Sequence, residues 1–194
     1  ADVVIAADGG AAHLTKAGRR PDLVVGDFDS LSPDARRDLE RAGVALEIHP
    51  DEKAQTDAEL AIGAAVRRGA DEIMVVGAFG GPRLDHMVGN VLLLAQEDFA
   101  AVDLAILTED AVFRALLGPG TLELEGAPGD WVSLAPLSET ARGVTTDGLR
   151  YGLRREDLVR GATRGASNEL TGRRGSVEVT DGLLPVASAS VRPN

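Results

Sequence analysis

Residues 21–36 read Pro21-Asp22-Leu23-Val24-Val25-Gly26-Asp27-Phe28-Asp29-Ser30-Leu31-Ser32-Pro33-Asp34-Ala35-Arg36. A short, unbroken apolar run ends in glycine and two carboxylates, and a Ser-Pro pair then opens an amphipathic stretch. Continuous Leu/Val of this length predicts a strand covered on both faces. Ser32 followed by Pro33 predicts a capped helix start, with proline where its missing N–H costs nothing. The pattern repeats outward from this stretch. Apolar runs at 3–7, 44–48, 73–77 and 104–107 alternate with helical stretches at about 9–18, 33–42, 56–68 and 84–97. Thr56-Asp57-Ala58-Glu59 is a capping box for the third of these. Alternating strands and helices predict an α/β domain built on a doubly wound, mainly parallel sheet.

The remainder reads differently. Residues 118–194 hold 12 of the 23 glycines, with turn signals at Gly118-Pro119-Gly120, Pro128-Gly129-Asp130, Asp147-Gly148 and Asp181-Gly182. Alternating runs between them, such as Leu122-Glu123-Leu124-Glu125, predict an all-β, sandwich-like second domain. The expected division is 1–115 and 116–194. At 194 residues the chain has room for these two domains and no more. The lone Trp131, with Phe28 and Phe79, reads as packing, and His86 as a hydrogen-bonding group that positions its loop.

Composition narrows the partners. The chain has no cysteine, which removes disulfides, thiolate metal sites and a cysteine nucleophile, and points to a cytoplasmic setting. No apolar run approaches the roughly 18 residues of a membrane span. The net charge is −11, and residues 1–117 carry nearly all of it, with 21 Asp+Glu against 11 Lys+Arg. Such a surface repels a polyphosphate backbone, so nucleic acid is not an expected partner.

Ligands of open parallel sheets bind beyond the carboxyl ends of the strands, and here those ends are acidic. The first runs into Asp8-Gly9-Gly10, the second into Asp27-Phe28-Asp29, the third into Asp51-Glu52-Lys53 and Thr56-Asp57, the fourth into Gly80-Gly81-Pro82-Arg83-Leu84-Asp85. Each aspartate taken alone is a plausible turn or helix-start residue. Taken together they repel. Two carboxylates about 6 Å apart cost about 3 kcal/mol at an effective dielectric of about 20. Asp27 and Asp29, two apart, share a side if the segment is extended. A counter-ion is expected, and without cysteine it should be a hard one, Mg²⁺ or Ca²⁺. Glycine pairs at helix starts, with Lys53 and Arg83, suit phosphate oxygens. Neither GxGxxG nor GxxxxGK[ST] occurs, so the pattern points to metal-dependent phosphoryl or diphosphoryl transfer.

Ala7-Asp8-Gly9-Gly10-Ala11, Pro21 to Ser30, Lys53, Thr56-Asp57-Ala58-Glu59-Leu60-Ala61, Gly80-Gly81 with Arg83-Leu84-Asp85-His86, and Asn90 together resemble the thiamine pyrophosphokinase family. Gly148-Leu149-Arg150-Tyr151 and Ser167-Asn168-Glu169 resemble its thiamine-side motifs more loosely. The resemblance implies ATP as co-substrate, Mg²⁺ as cofactor, and transfer of the β,γ-diphosphoryl group to the thiamine hydroxyl with release of AMP. It implies a homodimer with active sites between subunits. Asp27, Asp29 and Asp57 would hold the metal. Asp8, Gly9, Ser30, Lys53, Thr56, Gly80, Gly81 and Asn90 would face the nucleotide. Arg83 and Asp85 would serve phosphates or the attacking hydroxyl, Asp57 or Asp85 would take its proton, and Tyr151, Ser167 and Asn168 would line the thiamine pocket. The family also carries a strand and glycine loop ahead of the position of Ala1. This chain departs from the family pattern at Ala54, Pro82 and Tyr151. A same-fold diphosphokinase of a hydroxymethylpterin and a non-catalytic binder of nucleotide or thiamine are the competing readings.

Overall fold

The computed structural model describes residues 2–80 and 82–189 and separates into two compact units, 1–71 and 72–194. In the first unit, β1 (Ile5–Ala7), β2 (Leu23–Gly26) and β3 (Ala45–Ile48) form a parallel sheet in the order β1-β2-β3. They alternate with α1 (Gly10–Lys16), α2 (Pro33–Arg41) and α3 (Asp57–Arg67). The expected helix starts hold: Ser32 Oγ accepts from Ala35 N–H at 3.2 Å, and Thr56 Oγ1 from Glu59 N–H at 3.2 Å. β2 is buried along its whole length, and its pleat feeds two cores. Val24 packs with Ala11, Phe28, Leu31 and Leu39, while Leu23 and Val25 pack with Leu60 and Ala64 of α3. A strand covered on both faces explains why its sequence is continuously apolar.

The second unit begins with β4 (Glu72–Val76), α4 (Leu84–Leu92) and β5 (Asp103–Leu107), with two single 3₁₀ turns between α4 and β5. It continues through β6 (Ala111–Leu117), β7 (Gly120–Glu125), β8 (Trp131–Leu134), β9 (Thr140–Asp147), β10 (Glu156–Val159), β11 (Asn168–Glu169), β12 (Arg174–Val179) and β13 (Leu183–Ala189). Two sheets result, with orders β11-β8-β13-β6-β5-β4 and β10-β9-β12-β7. Their core takes Leu116, Val132, Leu134, Leu184 and Val186 from the first and Leu124, Val144, Val177 and Val179 from the second. The α/β and all-β classes are both present.

The structure adds detail to these expectations and corrects one of them, Trp131. β4 and β5 are parallel to each other, and β5 then pairs antiparallel with β6. A tight turn at Thr108 makes that join, with Ala111 N–H donating to Thr108 Oγ1 at 2.9 Å. β6 continues from that turn, and the chain's compact units divide after Asp71. Trp131 is not core. It is 39% exposed because Val132, its neighbour on the opposite face of β8, takes the buried position at 0%.

Leu184 is fully buried in the middle of the second core. Leu184→Ala is expected to cost about 3 kcal/mol, since close-packed neighbours relax only partly around the void. Thermal and denaturant unfolding of the two proteins check this.

Candidate active site

In the first unit the site is set by backbone shape. Asp8 has a φ of 37° and its N–H donates to Val25 O at 2.9 Å, which holds the β1–α1 turn against the end of β2. Gly26 allows that approach: a Cβ there would lie 2.8 Å from Asp8 Cβ and 3.2 Å from Asp57 Oδ1. Phe28 is left-handed, with φ 66°, an unusual state for a bulky residue. Its ring, 6% exposed, is anchored in the core, and the Arg36 guanidinium carbon lies 5.3 Å from the ring centroid. The segment is therefore not extended, and Asp27 and Asp29 do not act as a same-side pair. Asp29 is exposed; its N–H donates to Asp27 Oδ1 at 3.2 Å and its carboxylate accepts from Ser30 Oγ at 2.9 Å.

What converges instead is Asp8, Asp27 and Asp57, each with a carboxylate oxygen within 4.8 Å of the others. Asp8 is 5% exposed, and its Oδ1 has no hydrogen-bond partner. Lys53 is the counter-charge: its ammonium bonds to Asp27 and approaches Asp57 Oδ1 to 3.1 Å. The second contact is an ion pair without hydrogen-bond alignment, so that buried Asp57 oxygen also lacks a donor. The Lys53 bond lowers the Asp27 pKa and raises that of Lys53 in turn. Three carboxylates less one ammonium leave two negative charges, the complement of one divalent cation. At 4.8 Å each like-charged pair costs about 3.5 kcal/mol at an effective dielectric of about 20. An all-oxygen donor set with an orphaned, buried acceptor fits a hard ion such as Mg²⁺.

The second unit holds the other candidates. Arg83 donates to both oxygens of Asp85, at 2.9 and 2.6 Å, which drives the Asp85 carboxyl far below the usual carboxylate range. Both are exposed at the start of α4. Asn90 Nδ2 donates to Ala78 O at 2.8 Å, tying α4 to the loop after β4. Gly80 N–H points to Met87 Sδ at 3.4 Å, and Gly81 lies outside the described residues. Further along, Tyr151 is half exposed in the loop between β9 and β10. Ser167 is exposed and left-handed at φ 57°, and Asn168 is 3% exposed.

Residues 1–106 match the family description "Thiamin pyrophosphokinase, catalytic domain", and residues 121–184 match "Thiamin pyrophosphokinase, vitamin B1 binding domain". A thiamine pyrophosphokinase of Bacillus subtilis (strain 168) is 33% identical over 181 residues, covering 93% of this chain and 84% of that protein. The chain belongs to the thiamine pyrophosphokinase family. The crystal structure of a Bacillus subtilis thiamine pyrophosphokinase superposes with TM-score 0.84 at 31% identity, over 96% of this chain and 86% of that one. A Geobacillus thermodenitrificans thiamin pyrophosphokinase gives TM-score 0.80 at 36% identity, over 96% and 84%.

The carboxylate trio in this family member has a composition that the sequence only half discloses. Asp8 was expected on the nucleotide side, and the structure puts its carboxylate beside Asp27 and Asp57. Its signal was present, since Asp8 ends a strand as Asp27 does. Gly26 and Phe28, which shape the loop, carried no separate functional signal. Thr56 spends a lone pair on the α3 cap, and Gly9 precedes α1, where a Cβ would meet Ser30 Cβ at 3.4 Å.

Proposed function

We propose that this chain is a thiamine diphosphokinase, transferring the β,γ-diphosphoryl group of ATP to the hydroxyl of thiamine and releasing AMP. The observation that carries the reading is the Asp8–Asp27–Asp57 trio with an orphaned buried oxygen, within the region that matches the family's catalytic domain. These three residues would hold Mg²⁺, which when bound neutralises charge on the triphosphate. Lys53 balances the trio and is placed to donate to a phosphate oxygen. Thr56 and the Gly9 turn offer a hydroxyl and backbone N–H groups to the nucleotide, with Ser30 beside them. Arg83, oriented by Asp85, is assigned to phosphate, with Gly80 and Asn90 shaping that loop.

In the reaction the thiamine oxygen forms a bond to Pβ while the bond from Pβ to the oxygen bridging to Pα breaks, and that oxygen leaves with AMP. The hydroxyl proton passes to a carboxylate, Asp57 or Asp85, of which Asp57 suits the role better because Arg83 occupies both oxygens of Asp85. Little covalent chemistry falls to the protein, so positioning and charge neutralisation do most of the work. Tyr151 offers a ring face to the thiamine heterocycle, with Ser167 at its side. The surplus of negative charge favours a cationic acceptor. The active form is assigned as a homodimer with sites between subunits, which light scattering at working concentration tests.

The deciding experiment is AMP release from ATP and Mg²⁺ with thiamine or a hydroxymethylpterin as acceptor. AMP equimolar with thiamine diphosphate is expected; AMP with the pterin alone would move the substrate, and nucleotide binding without AMP would leave a binding protein.

A further inference from the structure

The loop carrying Tyr151 is fastened more firmly than a half-exposed aromatic requires. Tyr151 is 51% exposed, yet one side chain takes up both polar groups of its backbone. Its N–H donates to Asn168 Oδ1 at 2.9 Å, and its carbonyl accepts from Asn168 Nδ2 at 2.8 Å. Asn168 thus stands in for a peptide unit and reproduces the paired exchange of an antiparallel bridge. The same Oδ1 accepts from Glu169 N–H at 3.0 Å, so the buried amide has little left to offer a ligand. The left-handed Ser167, whose N–H donates to Ser133 Oγ at 3.1 Å, precedes it and turns the chain there.

The ring is held as well. The Arg150 guanidinium carbon lies 5.5 Å from the Tyr151 ring centroid, and Arg150 Nη1 donates to Glu169 Oε2 at 3.0 Å. Backbone bonds reinforce the brace, with Arg150 N–H donating to Glu169 O at 2.9 Å. One face of the phenol is therefore covered by a cation that already has its carboxylate. A flat heteroaromatic stacks on a ring face, so covering one face leaves a single way to stack. The covering charge also distinguishes the two rings of thiamine. A neutral aminopyrimidine tolerates a guanidinium behind the phenol, whereas a positively charged thiazolium would compete with it for the same ring quadrupole.

We propose that Asn168 and Arg150 are positioning residues of the thiamine site. Asn168 fixes the backbone of Tyr151, and Arg150, braced by Glu169, closes one ring face, so that the pyrimidine stacks on the other with the thiazolium directed away. The proposal rests on the assignment of Tyr151 to thiamine, and it shifts Asn168 from contacting the substrate to supporting the residue that does.

The test compares Tyr151→Ala, Asn168→Asp and Arg150→Met in the full chain, by steady-state kinetics for thiamine and ATP and by calorimetric titration with thiamine. Asn168→Asp retains the accepting oxygen but has no N–H for the Tyr151 carbonyl. Arg150→Met retains an apolar stem and removes the charge and the planar fork. The thiamine KM and Kd should rise about tenfold for Asn168→Asp and about fivefold for Arg150→Met, with kcat and the ATP KM within about twofold. A general structural defect would move kcat and both KM values together, and that result overturns the proposal. Unchanged thiamine affinity in both variants, beside a loss in Tyr151→Ala, overturns it too and leaves the Tyr151 assignment standing. Unchanged affinity in all three removes that assignment as well. Should Asn168→Asp fail to fold, the exposed Arg150 position decides alone.

Discussion

Asp57→Asn is expected to slow AMP formation about 1,000-fold, a barrier increase of about 4 kcal/mol, while leaving the melting temperature nearly unchanged. Asp57 is the first residue of α3, behind the Thr56 cap, and asparagine fills the same volume there. In the protein without cation, its carboxylate repels two others within 4.8 Å and is attracted by Lys53 at 3.1 Å. Removing the charge relieves more repulsion than it forfeits attraction, which offsets the lost interaction with the helix N-terminus. With cation and nucleotide present the balance reverses, because the trio loses a third of its charge. Activity and stability therefore part company, which a substitution that merely damages the fold does not produce. Rate, melting temperature and Mn²⁺ binding, read together, check this. A slowed enzyme with unchanged Mn²⁺ affinity would move Asp57 from holding the cation to accepting the proton, and a rate within tenfold would remove it from both roles.

Gly26→Ala, a change of one methyl group, is expected to cost about 2 kcal/mol of stability and at least about 100-fold in rate. The new Cβ would sit 2.8 Å from Asp8 Cβ, 3.3 Å from Asp8 Cα and 3.2 Å from Asp57 Oδ1. The first two atoms belong to backbone or are fixed to it, and that backbone is itself pinned. Asp8 N–H donates to Val25 O, and His49 N–H donates to Gly26 O, both at 2.9 Å. The β1 turn must then move away from β2, taking a carboxylate out of the trio. Gly63→Ala is the control. Its Cβ would meet only the far end of Arg67, at 3.3 Å, in a helix interior where alanine is favoured by about 1 kcal/mol. That variant should keep its rate and gain stability. Equal behaviour of the two glycine variants would show that close approach at Gly26 is not what assembles the site.

Much of this was legible along the chain because it depends on near neighbours. Ser32-Pro33 and Thr56 through Glu59 start helices through bonds spanning three residues, and both starts occur as expected. The continuous apolar run of β2 implied cover on both faces, and Phe28 was rightly taken as packing. Other features depend on residues far apart. Nothing local to β5 says that its next partner is the antiparallel β6. Trp131 was taken for core because large aromatics usually are, whereas the phase of the β8 pleat turns it outward. Asn168 bonds to the backbone of Tyr151 across 17 residues, a pairing that nothing local to Ser167-Asn168-Glu169 announces.

The carboxylates divide along the same line. Residue types and spacing were enough to predict acidic strand ends, a hard cation and phosphoryl or diphosphoryl transfer, because charge and donor type belong to single residues. Which three oxygens meet is a matter of backbone placement: φ 37° at Asp8, φ 66° at Phe28 and a missing Cβ at Gly26 bring Asp8 in and leave Asp29 outside. Those angles are held by Val25, by Arg36 over the Phe28 ring and by the core beneath it. Such contacts exist once the chain has folded, so membership of the site followed from packing while its chemistry was already written in the residues.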